Sequence, residues 1–232
     1  VVLTSNPQIL SDLRLIMDFD HQIELMNTYR GVPVICRAKV LSIQDNMVEV
    51  EAHDPALVCL ARQKQTKILG SDYFEPASAR VESVDLINGK AVLSHFTYQS
   101  TRLGERMIVR VEPKDPIPVR IENQGQVTIV EMIDLSLNGM GVRVASQSYN
   151  VFLKPGTAVQ VDIPLPKEEV RLAGNIVTAI KTGNTYRLSV RFLPGNPQRV
   201  AVFRYLIDRR AEIAIELKQE YEQALRDTAE AT

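Results

Sequence analysis

The chain has 232 residues, 45% hydrophobic and 24% charged, enough for one or two domains with real cores and too apolar for a disordered chain. Its 27 basic and 28 acidic residues leave a net charge of −1, which argues against a general nucleic-acid coat or a polybasic membrane binder. Any anion recognition must therefore be local. Of the basic residues 18 are Arg, whose planar fork suits phosphate and guanine edges, although bulk composition alone also yields such a ratio.

In chain order, residues 6–29 read as helical, with Asn6-Pro7 as cap and first-turn proline. Leu10, Leu13, Ile16, Met17, Leu25 and Met26 recur at helical spacing, as one helix or two short pieces, and Gly31 ends the segment. From Val32 the period becomes two. Val34, Cys36, Ala38 and Val40 alternate with polar residues, and Asp45-Asn46 turns the chain into Met47–Ala52, a hairpin. Asp54-Pro55 opens a helix to about Gln65. Strands over 78–87 and 90–97 flank Asn88-Gly89, a strong hairpin signal.

The stretch from Thr97 to Arg106 is polar and aperiodic and reads as a linker. Strands are expected over 107–112, 117–123, 126–135, 140–145, 157–163, 170–181 and 185–193, with Gly125, Gly139, Gly156 and Gly183-Asn184 at turns. This many short strands at close spacing indicate an all-β barrel or sandwich. Asn196-Pro197 caps a last helix to about residue 225. Val200, Phe203, Tyr205, Leu206, Ile207 and Ile213 lie on it, with Leu217, Tyr221 and Leu225 continuing at spacing four, a stripe that outlasts one small barrel. The stripe fits either the chain's own core or a second protomer, which would make a homodimer.

Cys36 and Cys59 lie in apolar runs with no CxxC, the pattern of two reduced, buried thiols in a cytoplasmic protein. No apolar run reaches the roughly 18 residues of a membrane span, so no membrane insertion is expected. No signal-peptide pattern opens the chain. The first residue is Val, consistent with a start inside a longer natural sequence. His21, His53 and His95 stand at no metal-ligand spacing, and GxSxG, P-loop and GxGxxG are all missing. Neither an enzyme nor a bound metal is expected.

Two features stand out. Arg102-Leu-Gly-Glu-Arg106 is an RxxxR in the linker, a weak signal alone, since Arg106/Arg110 and Arg187/Arg191 repeat the spacing in strand-like surroundings. Asp134-Leu-Ser-Leu-Asn-Gly139 is a DxSxxG between two strands, a pattern that chance would supply only about 0.03 times in this composition. An ordinary β-turn uses the same residue types.

Together these motifs resemble the PilZ domain, a bacterial receptor module for cyclic di-GMP. Arg106 and Asp134 stand 28 positions apart, within that family's spacing, and the strand Tyr186–Phe192 followed by a proline-capped helix is also similar. The resemblance covers roughly residues 100–210. Gly31-Val-Pro-Val-Ile and Asp54-Pro-Ala-Leu-Val look, less specifically, like the N-terminal domain of flagellar brake (YcgR-type) proteins.

The resemblance implies a mainly β chain of two small barrels. A split-barrel-like domain with its N-terminal helical segment would take 1–97, the linker 98–106, a six-stranded PilZ barrel 107–195 and a long C-terminal helix 196–232. It implies a non-enzymatic cyclic di-GMP effector of motility or biofilm formation, with no cofactor beyond that ligand. Its protein partner would belong to flagellar motor or envelope machinery, and nucleic-acid polymers are not expected as partners. The implied contacts are Arg102, Arg106, Asp134, Ser136 and Gly139, with Thr101, Gly141 and Arg143 as additional candidates, Arg143 more readily as a solvated strand residue. The chemistry agrees: an Arg fork matches guanine O6 and N7, guanidinium stacks on purines, and a carboxylate accepts from guanine N1–H and N2–H. The alternative is a PilZ-fold adaptor acting through protein contacts without nucleotide.

Overall fold

The structure is a computed structural model that describes residues 6–19, 22–70, 74–99, 109–149 and 153–230. It is mainly β, with two closed six-stranded barrels, an N-terminal helix and a long C-terminal helix. The chain divides into two compact units. One falls within residues 1–29, 33–107 and 213–232, and the other within 30–32 and 108–212.

The first unit begins with α1 (Pro7–Asp18), whose Asn6 side chain accepts from the Gln8 amide and so satisfies an open helix-end donor. Its Ile9, Leu10, Leu13 and Ile16 enter the barrel core. The strands are β1 (Gln22–Tyr29), β2 (Val32–Gln44), β3 (Met47–Glu51), β4 (Gln65–Ile68), β5 (Ala77–Asp85) and β6 (Lys90–Tyr98), with α2 (Leu57–Gln63) between β3 and β4. They close in the order β1-β2-β3-β6-β5-β4. Asp45 and Asn46 both take positive φ, as a tight two-residue hairpin turn requires.

Three expectations need correction here. The helix stops at Asp18, and residues 22–29 form a strand. Ile23, Leu25, Asn27 and Tyr29 are buried in strict alternation, and this period of two outweighs the helical look of adjacent Leu25 and Met26. Strand β4 follows α2 without a loop that its sequence would advertise, because Lys64 in the left-handed region reverses the chain in one residue. The turn at Asn88-Gly89 is wider than two residues, since the Asp85 carboxylate accepts from the amides of Ile87 and Asn88 and ends β5 early.

Both cysteines are free and buried. Burial pushes the Cys36 thiol up to about 12 and the Cys59 thiol to about 11, so each is a neutral, inert core group at physiological pH.

The second barrel contains β7 (Ile117–Asn123), β8 (Gln126–Ser136), β9 (Gly139–Ala145), β10 (Ala158–Pro164), β11 (Glu169–Thr182) and β12 (Thr185–Phe192), closed as β10-β11-β12-β9-β8-β7. Its core alternates along each strand: Val119 and Ile121, Met140, Val142 and Val144, Val159, Val161 and Ile163, Leu188, Val190 and Phe192. The six strands from 117 onward lie within a residue or two of expectation. The strand expected over 107–112 does not form in its described part. Only Val111 pairs, as a single bridge to Leu135.

Helix α3 spans Arg199–Glu230 and packs Ala201 and Val202 against the second core. No described helix is long and apolar enough to cross a membrane.

Closure of this barrel at β12 depends on close backbone approach. A Cβ on Gly139 would lie 2.3 Å from the Val190 carbonyl oxygen, and one on Gly174 would lie 2.7 Å from that of Arg191. Neither has a positive φ, so the constraint is contact, not backbone strain. Gly139→Ala should therefore cost about 1–3 kcal/mol of overpacking, read as a lower urea midpoint at unchanged m-value. Full retention of stability would show that β9 and β12 are not in this contact.

Candidate functional site

The DxSxxG segment lies where β8 turns into β9. Inward positions along β8 run Val130, Met132 and then Leu135. A register shift between Met132 and Asp134 advances the alternation by one and pairs Asp134 with Gly141. Asp134 is thereby turned toward the face that carries Arg187 on β12.

The Asp134 carboxylate is 7% exposed and holds three donors. Its Oδ1 accepts from the Gly141 amide at 3.1 Å and from Arg110 Nη1 at 3.0 Å. Its Oδ2 accepts from Arg187 Nη2 at 2.7 Å. A carboxylate offers about four acceptor positions, so among the described residues roughly one remains. Gly141 leaves space for this group, because a Cβ there would stand 2.7 Å from Asp134 Oδ2.

Ser136 is buried, and its hydroxyl donates to the Gly139 carbonyl at 2.8 Å, closing the turn. Arg110 reaches the site on a pinned segment. Val111 exchanges both backbone hydrogen bonds with Leu135, and the Glu112 carbonyl accepts from Nε of the buried Arg209.

Arg143 faces outward beside Arg187 in the β9–β12 register and pairs with Glu131 at 3.2 Å. Arg110, Arg143 and Arg187 outnumber Glu131 and Asp134 by one, a local positive excess in a chain of net charge −1. Arg110 and Arg187 are about half exposed, at 48% and 52%, so each guanidinium is anchored by one edge with surface left toward solvent.

The structure brings Asp134, Ser136, Gly139, Gly141 and Arg143 to one end of the β8–β9 hairpin. Thr101, Arg102 and Arg106 lie outside the described residues. Arg110 and Arg187 are additions. Sequence reading notes both as members of further RxxxR pairs and would treat Arg187 as remote from the site. The register of β12 against β9 overturns that, since it sets Arg187 beside Arg143 and within reach of Asp134. The signal available in sequence was the alternation around Leu188 and Val190, which turns Arg187 outward.

In the first unit, Ser94, His95 and Glu82 come together. Ser94 Oγ meets His95 Nδ1 at 2.6 Å and donates to Glu82. The carboxylate shares the serine and stands 3.6 Å from the same ring nitrogen, so it does not orient the far side of the imidazole as a nucleophile's base requires. That serine hydrogen bond is the main cause that holds the Glu82 carboxyl below its usual range. Among the described residues, no three His, Cys, Asp or Glu side chains are grouped to hold a metal ion.

An uncharacterized protein of Aquifex aeolicus (strain VF5) is 26% identical over 141 residues, 60% of this chain; the match spans 66% of that relative, just under two thirds of its length. The chain is similar to Escherichia coli YcgR in complex with c-di-GMP, at 16% identity over 93% of this chain and 96% of that one, with a TM-score of 0.46. It is also similar to the Bacillus subtilis inhibitor of motility MotI/DgrA, at 13% identity over 82% and 96%, with a TM-score of 0.44. A K. pneumonia MrkH–c-di-GMP complex is similar at 14% identity over 93% and 97%, with a TM-score of 0.45. The family model for the PilZ domain matches residues 101–208, a span that holds both motifs and all six strands of the second barrel. Residues 101–208 of this chain are a PilZ domain.

Proposed function

We propose that this chain is a non-enzymatic cyclic di-GMP receptor whose ligand is held between the RxxxR strap and the DxSxxG turn. The observation that carries this reading is the arginine-rich end of the β8–β9 hairpin. Asp134 fixes Arg110 and Arg187 with half their surface open, next to Arg143 and at the same end as Ser136 and Gly139. The PilZ match over 101–208 supports the same reading. Arg102 and Arg106 add two positive charges just upstream in sequence. A doubly anionic dinucleotide with two guanine Hoogsteen edges suits such a set of guanidinium groups.

Asp134 has a definite role in this proposal. Reading both guanine N1–H and N2–H needs two acceptor positions, and about one is left. Guanine therefore displaces Arg110 or Arg187 from the carboxylate, and the released guanidinium turns to phosphate or stacks on the base. Ser136 spends its proton on the Gly139 carbonyl and keeps its lone pairs for a ligand donor.

Contacts from residues 98–106 to the ligand would change the relation of the PilZ domain to the preceding residues 1–97 and so the surface offered to a protein partner. A motility or envelope component is the class of partner we assign, in the cytoplasm.

One specific observation favours the second reading, an adaptor without nucleotide: the Asp134 carboxylate is already held by Arg110 and Arg187. Titration calorimetry separates the two. Cyclic di-GMP should bind the wild type, and Arg102→Ala and Arg106→Ala should each weaken it by about 1–3 kcal/mol, roughly fivefold to 150-fold. Cyclic di-AMP, which lacks the N1–H donor, should bind far more weakly. No heat with cyclic di-GMP, or equal affinity for both dinucleotides, would reject nucleotide readout.

The proposed change between states has its own check. Small-angle scattering of the full chain should give a different profile when cyclic di-GMP saturates it. Bound ligand with an unchanged profile would leave a binding domain with no rearrangement.

A further inference from the structure

The turn inside DxSxxG is held from outside the hairpin. Arg199, at the first position of α3, donates from Nη2 to the Leu137 carbonyl at 3.2 Å and to Asn138 Oδ1 at 2.5 Å. Leu137 and Asn138 are the two residues between Ser136 and Gly139. The Asn138 carbonyl in turn accepts from the Phe192 amide at the end of β12, at 2.9 Å. The turn is thus fixed by one side chain from α3 and one amide from β12.

The start of α3 is itself immobilised. Asn196 Nδ2 donates to the Arg171 carbonyl, and Gln198 Oε1 accepts from the Arg171 amide, so both backbone groups of one β11 residue hold the helix entrance. Asn196 Oδ1 accepts from the Gln198 amide as a helix cap would. Arg199 Nε is buried with no hydrogen bond among the described residues. Arg199 is half-buried, and its two hydrogen bonds to the turn offset the cost of taking part of the guanidinium out of water.

We infer that Arg199 is a positioning residue for nucleotide recognition. It fixes the Leu137–Asn138 turn, and through it the place of Ser136, and it links α3 to the ligand site without touching ligand. This rests on the reading that the DxSxxG turn binds cyclic di-GMP. Linkage then requires the reciprocal effect: if the clamped turn binds ligand better, ligand stabilises the clamp and the first turn of α3.

The test is calorimetry with cyclic di-GMP together with amide hydrogen exchange of residues 199–203, with and without ligand. Arg199→Ala should weaken binding on the order of tenfold, the effect of losing one charge-assisted hydrogen-bond donor. Arg199→Lys, which retains a donor, should recover part of that loss and covers the case of an alanine variant that folds poorly. Arg204→Ala, on the same helix but paired with Glu168, should bind as the wild type does. Asn138→Ala combined with Arg199→Ala should lose no more than Arg199→Ala alone, since that variant already lacks the Asn138 side-chain contact. Ligand should slow exchange at 199–203 in the wild type and not in Arg199→Ala. A wild type that binds cyclic di-GMP while Arg199→Ala binds equally well would overturn the positioning role alone. A wild type that does not bind cyclic di-GMP would overturn both this role and the reading beneath it.

Discussion

The PilZ domain of this chain is organised around one buried carboxylate. Asp134 is a charge in a nearly water-free position, which is costly unless the charge is fully hydrogen-bonded. Its partners dictate much of the surrounding geometry. The β8 register shift aims it, Gly141 clears space for it, and the Gly141 amide together with Arg110 and Arg187 neutralises it. Losing any one partner leaves a charge unsatisfied, so the three strands and the segment at Val111 are constrained together.

That constraint also explains how a chain of net charge −1 builds a local cluster of positive charge. A single carboxylate holds two guanidinium groups by one edge each and leaves their other edges toward solvent, while Glu131 restrains Arg143 nearby. Pre-orienting arginines in this way removes part of the side-chain entropy cost of gripping a phosphate or base edge. The turn below them is held just as firmly, by the Ser136 hydroxyl from within and by Arg199 and the Phe192 amide from without. Tight packing and the DxSxxG motif thus share residues: Gly139 sits in the motif and also allows β9 to lie against the Val190 carbonyl.

Most of the PilZ barrel was legible in sequence because its strands alternate cleanly and its turns carry glycine. Helix α3 was legible from its Asn196-Pro197 start, but its stripe was only half right: Val200, Phe203 and Ile207 are exposed, while Ala201, Val202, Ile213 and Leu217 are buried. Strand β1 was not, since Leu25 and Met26 side by side mimic a helical face, and only barrel closure shows that Leu25 points in and Met26 less so. Asp134, Ser136 and Gly139 were visible as a motif, yet the motif says nothing of who holds the carboxylate. Arg187 is 53 positions away and becomes its partner only through the β9–β12 register, a non-local fact that no spacing rule encodes. The bulge between Met132 and Asp134 left a trace in the spacing of Val130, Met132 and Leu135, but a trace that is read only once the barrel is known.

The central claim is that cyclic di-GMP binds at the Asp134 end of the PilZ barrel. Backbone amide chemical-shift mapping of the isotopically labelled full chain, titrated with cyclic di-GMP, tests it most directly. Gly139, Gly141 and Arg187 should shift strongly and saturably. Gly125, in the turn at the opposite end of β8, should not. Shifts concentrated at Gly125, or no saturable shift at Gly139 and Gly141, would contradict it.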